Sequence, residues 1–502
     1  MRALGFTSRG VTGFVVGLAV VIAGCSDDGD PVTGGGGGGG QSSGPSSGGS
    51  NSGGSSGQFT GGNGSGGSPP ACVNLECQQV DCPTAGATTT ISGKVYVPAG
   101  SVPLYNAVVY VPNAPLSPIV DGATCDTCAS MLTGSPLVSA LTDTAGSFIL
   151  EDVPVGSDIP VVIQIGKWRR EIVIPAITEC QDNPITDVEQ TSLPSNQSEG
   201  HIPKIALTTG GADPLECLLR KIGLEDSEFT LESGTGRVNL FGGNGGSNQY
   251  TGSLNGGASM TPTQTFWSDA ATLNSYDIVL LACEGAQNIG DKPQVARDAM
   301  RDYTSLGGRV FASHWHNVWL EQGPADFQSI ASWGASGDPP DPFDTLIDTS
   351  FPKGVALSEW LVNVGASPTL GQLSITEPRH TIASISAGAQ RWIYGAGFDA
   401  IQYFTFNTPI ATPPEEQCGR MVFSDLHVSS GDSVGDDFPE GCTTTSLSPQ
   451  EKALLFMLFD LSSCIQPDDD PPCPPTQNPC GEAGDPACGG TCVDGCCQPI
   501  PQ

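Results

Sequence analysis

The sequence predicts a multidomain protein in which a β-sandwich is followed by an open α/β domain and a small cysteine-rich tail. Short β-branched runs separated by Gly, Pro and Asp fill residues 71–209, whereas buried-strand and helical patterns alternate through residues 210–465. Six cysteines then crowd between Cys473 and Cys497, inside a tail at residues 466–502. A chain of 502 residues is long enough for several such domains.

Residues 1–25 have the pattern of an export signal. Arg2 and Arg9 precede an apolar run that starts near Val11 and is too short to span a bilayer. Residues 21–25 read Val-Ile-Ala-Gly-Cys, which resembles the lipobox of bacterial lipoproteins. The resemblance implies that Cys25 is acylated and anchors the exported chain, and that Ser26, which is not Asp, directs it to the outer membrane. The alternative is an ordinary signal peptide followed by an unrelated thiol.

Residues 26–70 are predicted to be a linker. They contain seven consecutive glycines at 34–40, then Ser/Gly repeats, and almost nothing apolar. Such a segment cannot bury enough surface to offset the entropy of ordering it. We therefore expect a flexible coil between the anchor and the folded part.

The chain is strongly acidic, with 53 acidic and 19 basic residues and a formal net charge of −34. This charge excludes nucleic acid and anionic lipid head groups as partners. We expect contact with a membrane through the lipid at Cys25, and an envelope protein or carbohydrate as a possible partner. Plain solubility is the alternative explanation of the charge.

The 18 cysteines indicate an oxidising compartment. Apart from Cys25 they form a group of six up to Cys180, a group of five from Cys217 to Cys464, and the six of the tail. The first and last groups each have an even number of cysteines, which predicts that each forms its disulfides within itself. In the tail, disulfides are favoured over zinc. The middle group leaves one odd thiol, and Cys283 is a possible partner of Cys217.

The first folded part, residues 71–209, is predicted to be a small antiparallel sandwich. Strand patterns occupy residues 88–97, 107–111, 148–150, 160–165, 171–174 and, as the last strand, 202–208. An insert at about 113–138 carries Cys125 and Cys128 in a CxxC pattern, for which we expect a structural disulfide rather than a redox site.

Two stretches of this part carry a resemblance. Residues 91–95 read Ile-Ser-Gly-Lys-Val and residues 142–148 read Thr-Asp-Thr-Ala-Gly-Ser-Phe. They resemble a carboxypeptidase regulatory-like (transthyretin-like) domain. The resemblance implies a prealbumin-like sandwich that serves as a spacer or adhesion module and not as an enzyme.

The second folded part, residues 210–465, alternates strands and helices. Residues 277–283 hold a continuous apolar run after Asp277, which is typical of a strand buried on both faces of a parallel sheet, and residues 310–313 are predicted to be the next buried strand. Asp213 is placed to cap a helix that follows it, and Ser448 with Glu451 predicts a capping box at the last helix. Residues 334–385 have the pattern of a loop-rich insert.

Three stretches, residues 276–285, 303–312 and 419–427, resemble the class I glutamine amidotransferase-like superfamily, nearest its trehalose-utilisation-protein-like branch. The resemblance implies a flavodoxin-like, three-layer α/β domain. Enzymatic members carry a Cys nucleophile in a Gly-x-Cys-x-Gly turn after a strand. Here the turn at residues 313–317 reads Ser-His-Trp-His-Asn, so amidotransferase activity is not expected, and no cofactor is expected either.

Five residues near predicted strand ends are candidates for chemistry. Cys283 ends one strand in Ala-Cys-Glu-Gly, His314 and His316 share one side of the next strand end, and Asp425 and His427 repeat that spacing. If the last two strands are neighbours, the three histidines and Asp425 could hold Zn²⁺ or another transition metal. The alternative is that these histidines only hydrogen-bond to the backbone.

Together these patterns predict a cell-envelope lipoprotein with a non-catalytic binding or structural role. The alternative is a hydrolase or metal-dependent enzyme that acts on envelope or extracellular carbohydrate through residues around Cys283, His314, His316 and His427. Four tryptophans could line a carbohydrate surface or pack in the core: Trp315, Trp319, Trp333 and Trp360.

Overall fold

The computed structural model describes residues 72–126, 131–335, 337–428, 431–474, 491–493 and 496–498. The predicted signal peptide, the lipid site Cys25, the linker and most of the tail lie outside the described residues. Those that are described belong to one compact unit that is mostly β, with several sheets, short helices and disulfides. Among them no helix is both long and apolar enough to cross a bilayer.

The first six strands form two antiparallel sheets with a common core. Strands β1 to β6 span, in chain order, Ile91–Lys94, Val108–Pro112, Pro136–Leu141, Ser147–Leu150, Gly156–Ile165 and Trp168–Ile177. β1 pairs with β4, and the other four lie in the order β3-β2-β5-β6. Val109 and Val161 are fully buried between the sheets. This arrangement agrees with the predicted sandwich, and the expected insert ends in an additional strand, β3.

Parallel strands make up one half of a large eleven-stranded sheet. Strands β7 to β12 span Ile205–Thr208, Phe229–Thr230, Val238–Gly242, Thr261–Pro262, Ile278–Leu281 and Arg309–Ser313. They lie in the order β10-β9-β7-β11-β12, and β8 also pairs with β9. Strand β7 was expected as the last strand of the sandwich. Instead it lies between β9 and β11, because its four residues are buried on both faces, as a central parallel strand requires.

The other half of the sheet is antiparallel. Strands β13 to β19 span Ala331–Trp333, Phe343–Ile347, Gln372–Ile375, Ile382–Ile385, Gln390–Gly395, Ile401–Thr408 and Gly419–Ser424. β19 lies parallel to β12, and β18, β17, β14 and β15 then follow in antiparallel pairs, while β13 pairs with β16 apart from this sheet. The sheet is therefore mixed, which departs from the parallel sheet of the expected flavodoxin-like domain. The segment expected to be loop-rich contains β14, β15, β16 and a helix.

Helices cover both faces of the large sheet. Helices α1 to α9 span Val188–Thr191, Leu215–Lys221, Thr263–Trp267, Ala270–Asn274, Gln294–Ser305, Val318–Glu321, Ala325–Gln328, Pro352–Asn363 and Pro449–Ser462. Short 3-10 turns lie at Asn74–Gln78, Asp226–Glu228, Asn255–Gly257, Ile289–Asp291, His314–Asn317 and Pro414–Glu416. Leu280 packs in the core that contains α9 and the sandwich, whereas Leu281 packs in the core that contains α5. The capping box of Ser448 and Glu451 is confirmed.

Disulfides cross the boundaries of the predicted cysteine groups. The described pairs are Cys72–Cys77, Cys82–Cys180, Cys125–Cys418, Cys217–Cys442 and Cys473–Cys496. The prediction of a closed group is wrong for the first six cysteines, because Cys125 of the sandwich joins Cys418 beside β19, whereas the described tail pair Cys473–Cys496 lies within its own group. The suggested pairing of Cys217 with Cys283 is also wrong, and Cys283 is a free, buried thiol. In the tail, strands β20 and β21, Thr491–Val493 and Cys496–Gln498, form an antiparallel pair.

Candidate functional site

Four neighbouring parallel strands end at one edge of the large sheet. In β7, β11 and β12, Thr208, Leu281 and Ala312 lie side by side, and Ser313 of β12 lies beside Ser424 of β19. Loops that follow parallel strands meet at the carboxyl edge of a sheet, where α/β proteins place their ligand sites. The condition set for a site, that β12 and β19 be neighbours, is met.

Cys283 follows β11 and faces the loop that follows β12. Its Sγ lies 3.7 Å from Nδ1 of His314 and accepts a hydrogen bond from the backbone N–H of Gly285 at 3.4 Å. His314 has a φ of 36°, a left-handed conformation that costs a non-glycine residue of the order of 1–3 kcal/mol. The fold thus holds this imidazole toward the thiol at a cost in backbone strain.

His427, after β19, completes the cluster. Its ring lies 4.9 Å from that of His314, between centroids, and its Nδ1 lies 3.2 Å from Oδ1 of Asp213. The same oxygen accepts the backbone N–H of Val428 at 2.8 Å, and the hydroxyl of Ser313 donates to the other oxygen of Asp213. Because an ionised carboxylate only accepts, Nδ1 of His427 carries the hydrogen of this contact, and in a neutral ring Nε2 is then the nitrogen with the lone pair.

All these side chains are buried. Cys283 and Asp213 are fully buried, and the two histidines are 3% and 5% exposed. Burial, reinforced by the charge of Asp213, raises the pKa of the Cys283 thiol to about 12. Burial, followed by the charges of His427 and Arg379, lowers the pKa of His314 to about 3. The pair is therefore a neutral thiol beside a neutral imidazole.

Asp213 remains ionised in spite of its burial. Desolvation is the largest influence and opposes ionisation, but hydrogen bonds from His427, Ser313 and Val428 outweigh it and hold the pKa of Asp213 below its usual value. Asp213 was expected to cap α2. Pro214 occupies the N-cap position instead, with no side-chain cap, so the carboxylate is free to orient His427.

His316 is not part of the cluster. Trp319 Nε1 donates to its Nδ1 at 2.9 Å, so its Nε2 carries the hydrogen and donates to the carbonyl of Ala282, also at 2.9 Å. Both ring nitrogens are therefore occupied. The expected role of His316 as a ligand is wrong, because a 3-10 turn begins at His314 and ends the strand geometry that would have put the two histidines on one side.

Asp425 is also turned away from the cluster. One carboxylate oxygen accepts the backbone N–H of Thr381 at 2.8 Å, and the other accepts the Thr381 hydroxyl. Burial raises its pKa to about 6. Its place in the expected ligand set is wrong, since it fixes the loop before β16 and makes no contact with a histidine of the cluster.

A buried ion pair supports the loop that carries Cys283. Glu284 accepts from Nζ of Lys292, and its other oxygen accepts the backbone N–H of Asn244 at 3.0 Å. Lys292 also donates to the carbonyl of Gln287 at 3.0 Å and lies 4.9 Å from the ring centroid of Trp267. This pair could not be predicted from the sequence, because the two charges flank a loop of no recognisable motif.

Close backbone contact brings the loop after β7 into the site. A Cβ on Gly210 would lie 2.3 Å from the carbonyl oxygen of Cys283, so only glycine permits this approach. The Gly210-Gly211 pair directly after a buried strand was the available signal that this loop, and Asp213 within it, belongs to the site.

The described residues bring three of the five candidates together. Cys283, His314 and His427 each offer one ligand atom, and these atoms lie within 4.8 Å of one another. The arrangement offers one sulfur and two imidazole nitrogens, with Asp213 behind His427. Of the tryptophans considered for carbohydrate contact, Trp319 and Trp360 are core residues, whereas Trp315 and Trp333 are partly exposed.

Comparisons with known proteins give weak structural neighbours. No protein-family model matches the chain, and no curated protein matches it. Two crystal structures of interface mutants of a type II cohesin–X-dockerin complex from Acetivibrio cellulolyticus are each 18% identical over 29% of this chain, and over 76% and 78% of theirs, with TM-scores of 0.14. The crystal structure of SMU.1228c is 9% identical over 52% of this chain and 99% of its own, with a TM-score of 0.28.

Proposed function

We propose that this protein is a cell-envelope lipoprotein, anchored through Cys25, that binds a small ligand at the cluster of Cys283, His314 and His427 without turning over a substrate. Disulfides such as Cys125–Cys418 and Cys217–Cys442 support export, because they persist in oxidising compartments. The acidic surface argues against nucleic acid as a partner.

The proposal includes an amidotransferase-like, flavodoxin-like domain that follows the carboxypeptidase regulatory-like sandwich along the chain. Its support is the order of the parallel strands, β9-β7-β11-β12-β19, which is 2-1-3-4-5 when these five are numbered along the chain. The antiparallel strands beyond β19 are then an addition to that domain. His314 occupies the turn in which enzymatic relatives would carry their nucleophile.

Burial of the cluster is the observation that carries the binding role. None of the three side chains is more than 5% exposed, so a carbohydrate chain or a peptide has no surface of these residues to contact. An ion or a molecule of a few atoms is the size of ligand that such a position can accept. A cysteine enzyme acting on polymers needs its thiol at an open cleft.

A test of the anchor uses the full chain with its signal peptide, produced in a Gram-negative host. Mass spectrometry of the N-terminal peptide should show acylation at Cys25, and the membrane fraction should lose the protein in Cys25→Ser. A count of thiols on unreduced, denatured protein should find Cys283 reactive. An unmodified N-terminus together with fully reduced cysteines contradicts the proposal.

A hydrolase is the second candidate, favoured by the contact between Cys283 and His314 and by the pairing of His427 with Asp213. We expect no turnover of glycosidic, ester or amide substrates above that of Cys283→Ser. Turnover that disappears in Cys283→Ser but persists in His380→Gln, a histidine outside the cluster, would establish the enzyme and remove the binding role.

A further inference from the structure

The donor atoms of the cluster have the spacing of metal ligands. A tetrahedral ion with a metal–sulfur bond of about 2.3 Å and metal–nitrogen bonds of about 2.0–2.1 Å separates sulfur from nitrogen by about 3.6 Å. Cys283 Sγ and His314 Nδ1 are 3.7 Å apart, and all three donor atoms lie within 4.8 Å. We expect the three side chains to adjust until all three donor atoms contact one ion.

The groups around the donor atoms hold the ligand side chains in place, as the groups surrounding a metal site do. Asp213 fixes Nδ1 of His427, which leaves Nε2 for coordination, and Asp213 is itself fixed by Ser313 and Val428. Metal-binding histidines commonly have such a carboxylate behind them, because it fixes the tautomer and strengthens the nitrogen as a ligand. The N–H of Gly285 points at the sulfur, where it stabilises negative charge.

Cys283 is reduced, as a cysteine that binds a metal ion must be. It is a thiol in a chain where ten other described cysteines form the five disulfides given above. Its neighbours are histidines, with no second cysteine in the cluster. One sulfur and two imidazoles suit Zn²⁺ and copper, and they do not suit the oxygen-seeking ions Mg²⁺ and Ca²⁺.

We propose that Cys283, His314 and His427 bind one transition-metal ion of the zinc and copper class, with Asp213 as the residue that positions His427. This inference rests on the proposed binding role and names its ligand. Three protein ligands leave a fourth coordination position on the ion. The two metals share the same donor chemistry, and the experiment separates them.

The experiment uses the full chain, stripped with a chelator, and measures bound metal by elemental analysis after dialysis against ZnCl₂, CuSO₄ or MgCl₂. We expect one zinc or one copper per chain and no retained magnesium. Calorimetric titration with each ion then decides which of the two binds more tightly. Co²⁺ should give the absorption band of a cobalt–thiolate bond.

Variants locate the site. Cys283→Ser and His427→Gln should lower the affinity by more than the roughly 10–100-fold expected for loss of an outer-shell partner. His316→Gln is the matched control, since it is a buried histidine two residues from His314 with both ring nitrogens hydrogen-bonded to protein groups. His380→Gln, at a partly exposed position, is a second control for variants that fail to fold, and circular dichroism checks folding throughout.

Two results overturn the inference: a folded wild-type chain that retains neither zinc nor copper, or a metal content that is equal in wild type and Cys283→Ser. Either result leaves the wider proposal standing if Cys25 is acylated and no turnover is found. If the chain binds one metal ion and also turns over a substrate, the proposed non-catalytic role is wrong and the proposed metal site stands.

Discussion

The two halves of the large sheet differ in where their polar side chains lie. In the parallel half, strands β7, β11, β12 and β19 all end at one edge, and the residues after them form one buried cluster. In the antiparallel half, successive strands run in opposite directions, and the ion pair of Arg391 with Asp348 is partly exposed. Strand direction therefore determines where reactive side chains can gather, since only parallel strands deliver several loops to one place.

The largest expected effect is in the parallel half, at the ion pair beside Cys283. Lys292→Met leaves the carboxylate of Glu284 buried without its cation, so we expect a loss of about 3–5 kcal/mol in the free energy of unfolding. Urea denaturation measures it. The double variant Lys292→Met, Glu284→Gln should recover part of the loss. A single-variant loss below about 1 kcal/mol would show that water reaches this pair.

Glu216 on α2 should make the stability of the parallel half depend on pH. Burial raises its folded pKa to about 7 from 4.5, so the folded state holds the proton more tightly than the unfolded chain. The stabilisation is complete below the unfolded pKa and is lost as pH rises through about 7. Relative to Glu216→Gln, the wild type should lose up to about 3 kcal/mol between about pH 4 and about pH 8. Parallel curves for the two proteins would contradict this.

A pair of matched aspartates tests the cluster itself. Asp213 and Asp425 are both fully buried near strand ends, but Asp213 contacts His427 and Asp425 contacts Thr381. We expect Asp213→Asn to weaken zinc or copper binding by about 10–100-fold, because the carboxylate no longer fixes the imidazole. Asp425→Asn should leave the affinity unchanged. Equal losses in the two variants would mean that the effect comes from general loosening of the fold.

The smallest effect is expected in the antiparallel half. The side chains of Arg391 and Asp348 are 37% and 12% exposed and lie 2.8 Å apart, so water screens this pair and we expect it to contribute less than about 1 kcal/mol. Arg391→Met should therefore change the free energy of unfolding by less than that amount in urea denaturation. A loss as large as that of Lys292→Met would remove the contrast between the two halves.

The buried parallel strands could be predicted from the sequence because their signal is local. Strand β11 is apolar throughout, and β12 is apolar from Val310 to Ala312, as is typical of strands covered on both faces. Strands β14 and β15, inside the segment expected to be loop-rich, were missed, since β15 alternates exposed and buried residues over only four positions. Such a run cannot be told from a loop without knowing its partner strands.

The site was predicted in part for the same reason. Cys283, His314 and His427 lie within three residues of the ends of strands with a clear pattern, so their edge of the sheet could be inferred. Asp213 was given a local role as a helix cap, whereas its partner, His427, is more than 200 positions away along the chain. The disulfide Cys125–Cys418, which joins two cysteine groups, could not be predicted either, because the spacing of cysteines along the chain does not show which of them pair.

X-ray absorption spectroscopy of the zinc- or copper-loaded full chain tests the metal centre most directly. We expect one sulfur at about 2.3 Å and two imidazole nitrogens at about 2.0–2.1 Å from the ion, with the sulfur lost in Cys283→Ser. A spectrum with only oxygen and nitrogen neighbours in the wild type, unchanged in Cys283→Ser, would contradict it.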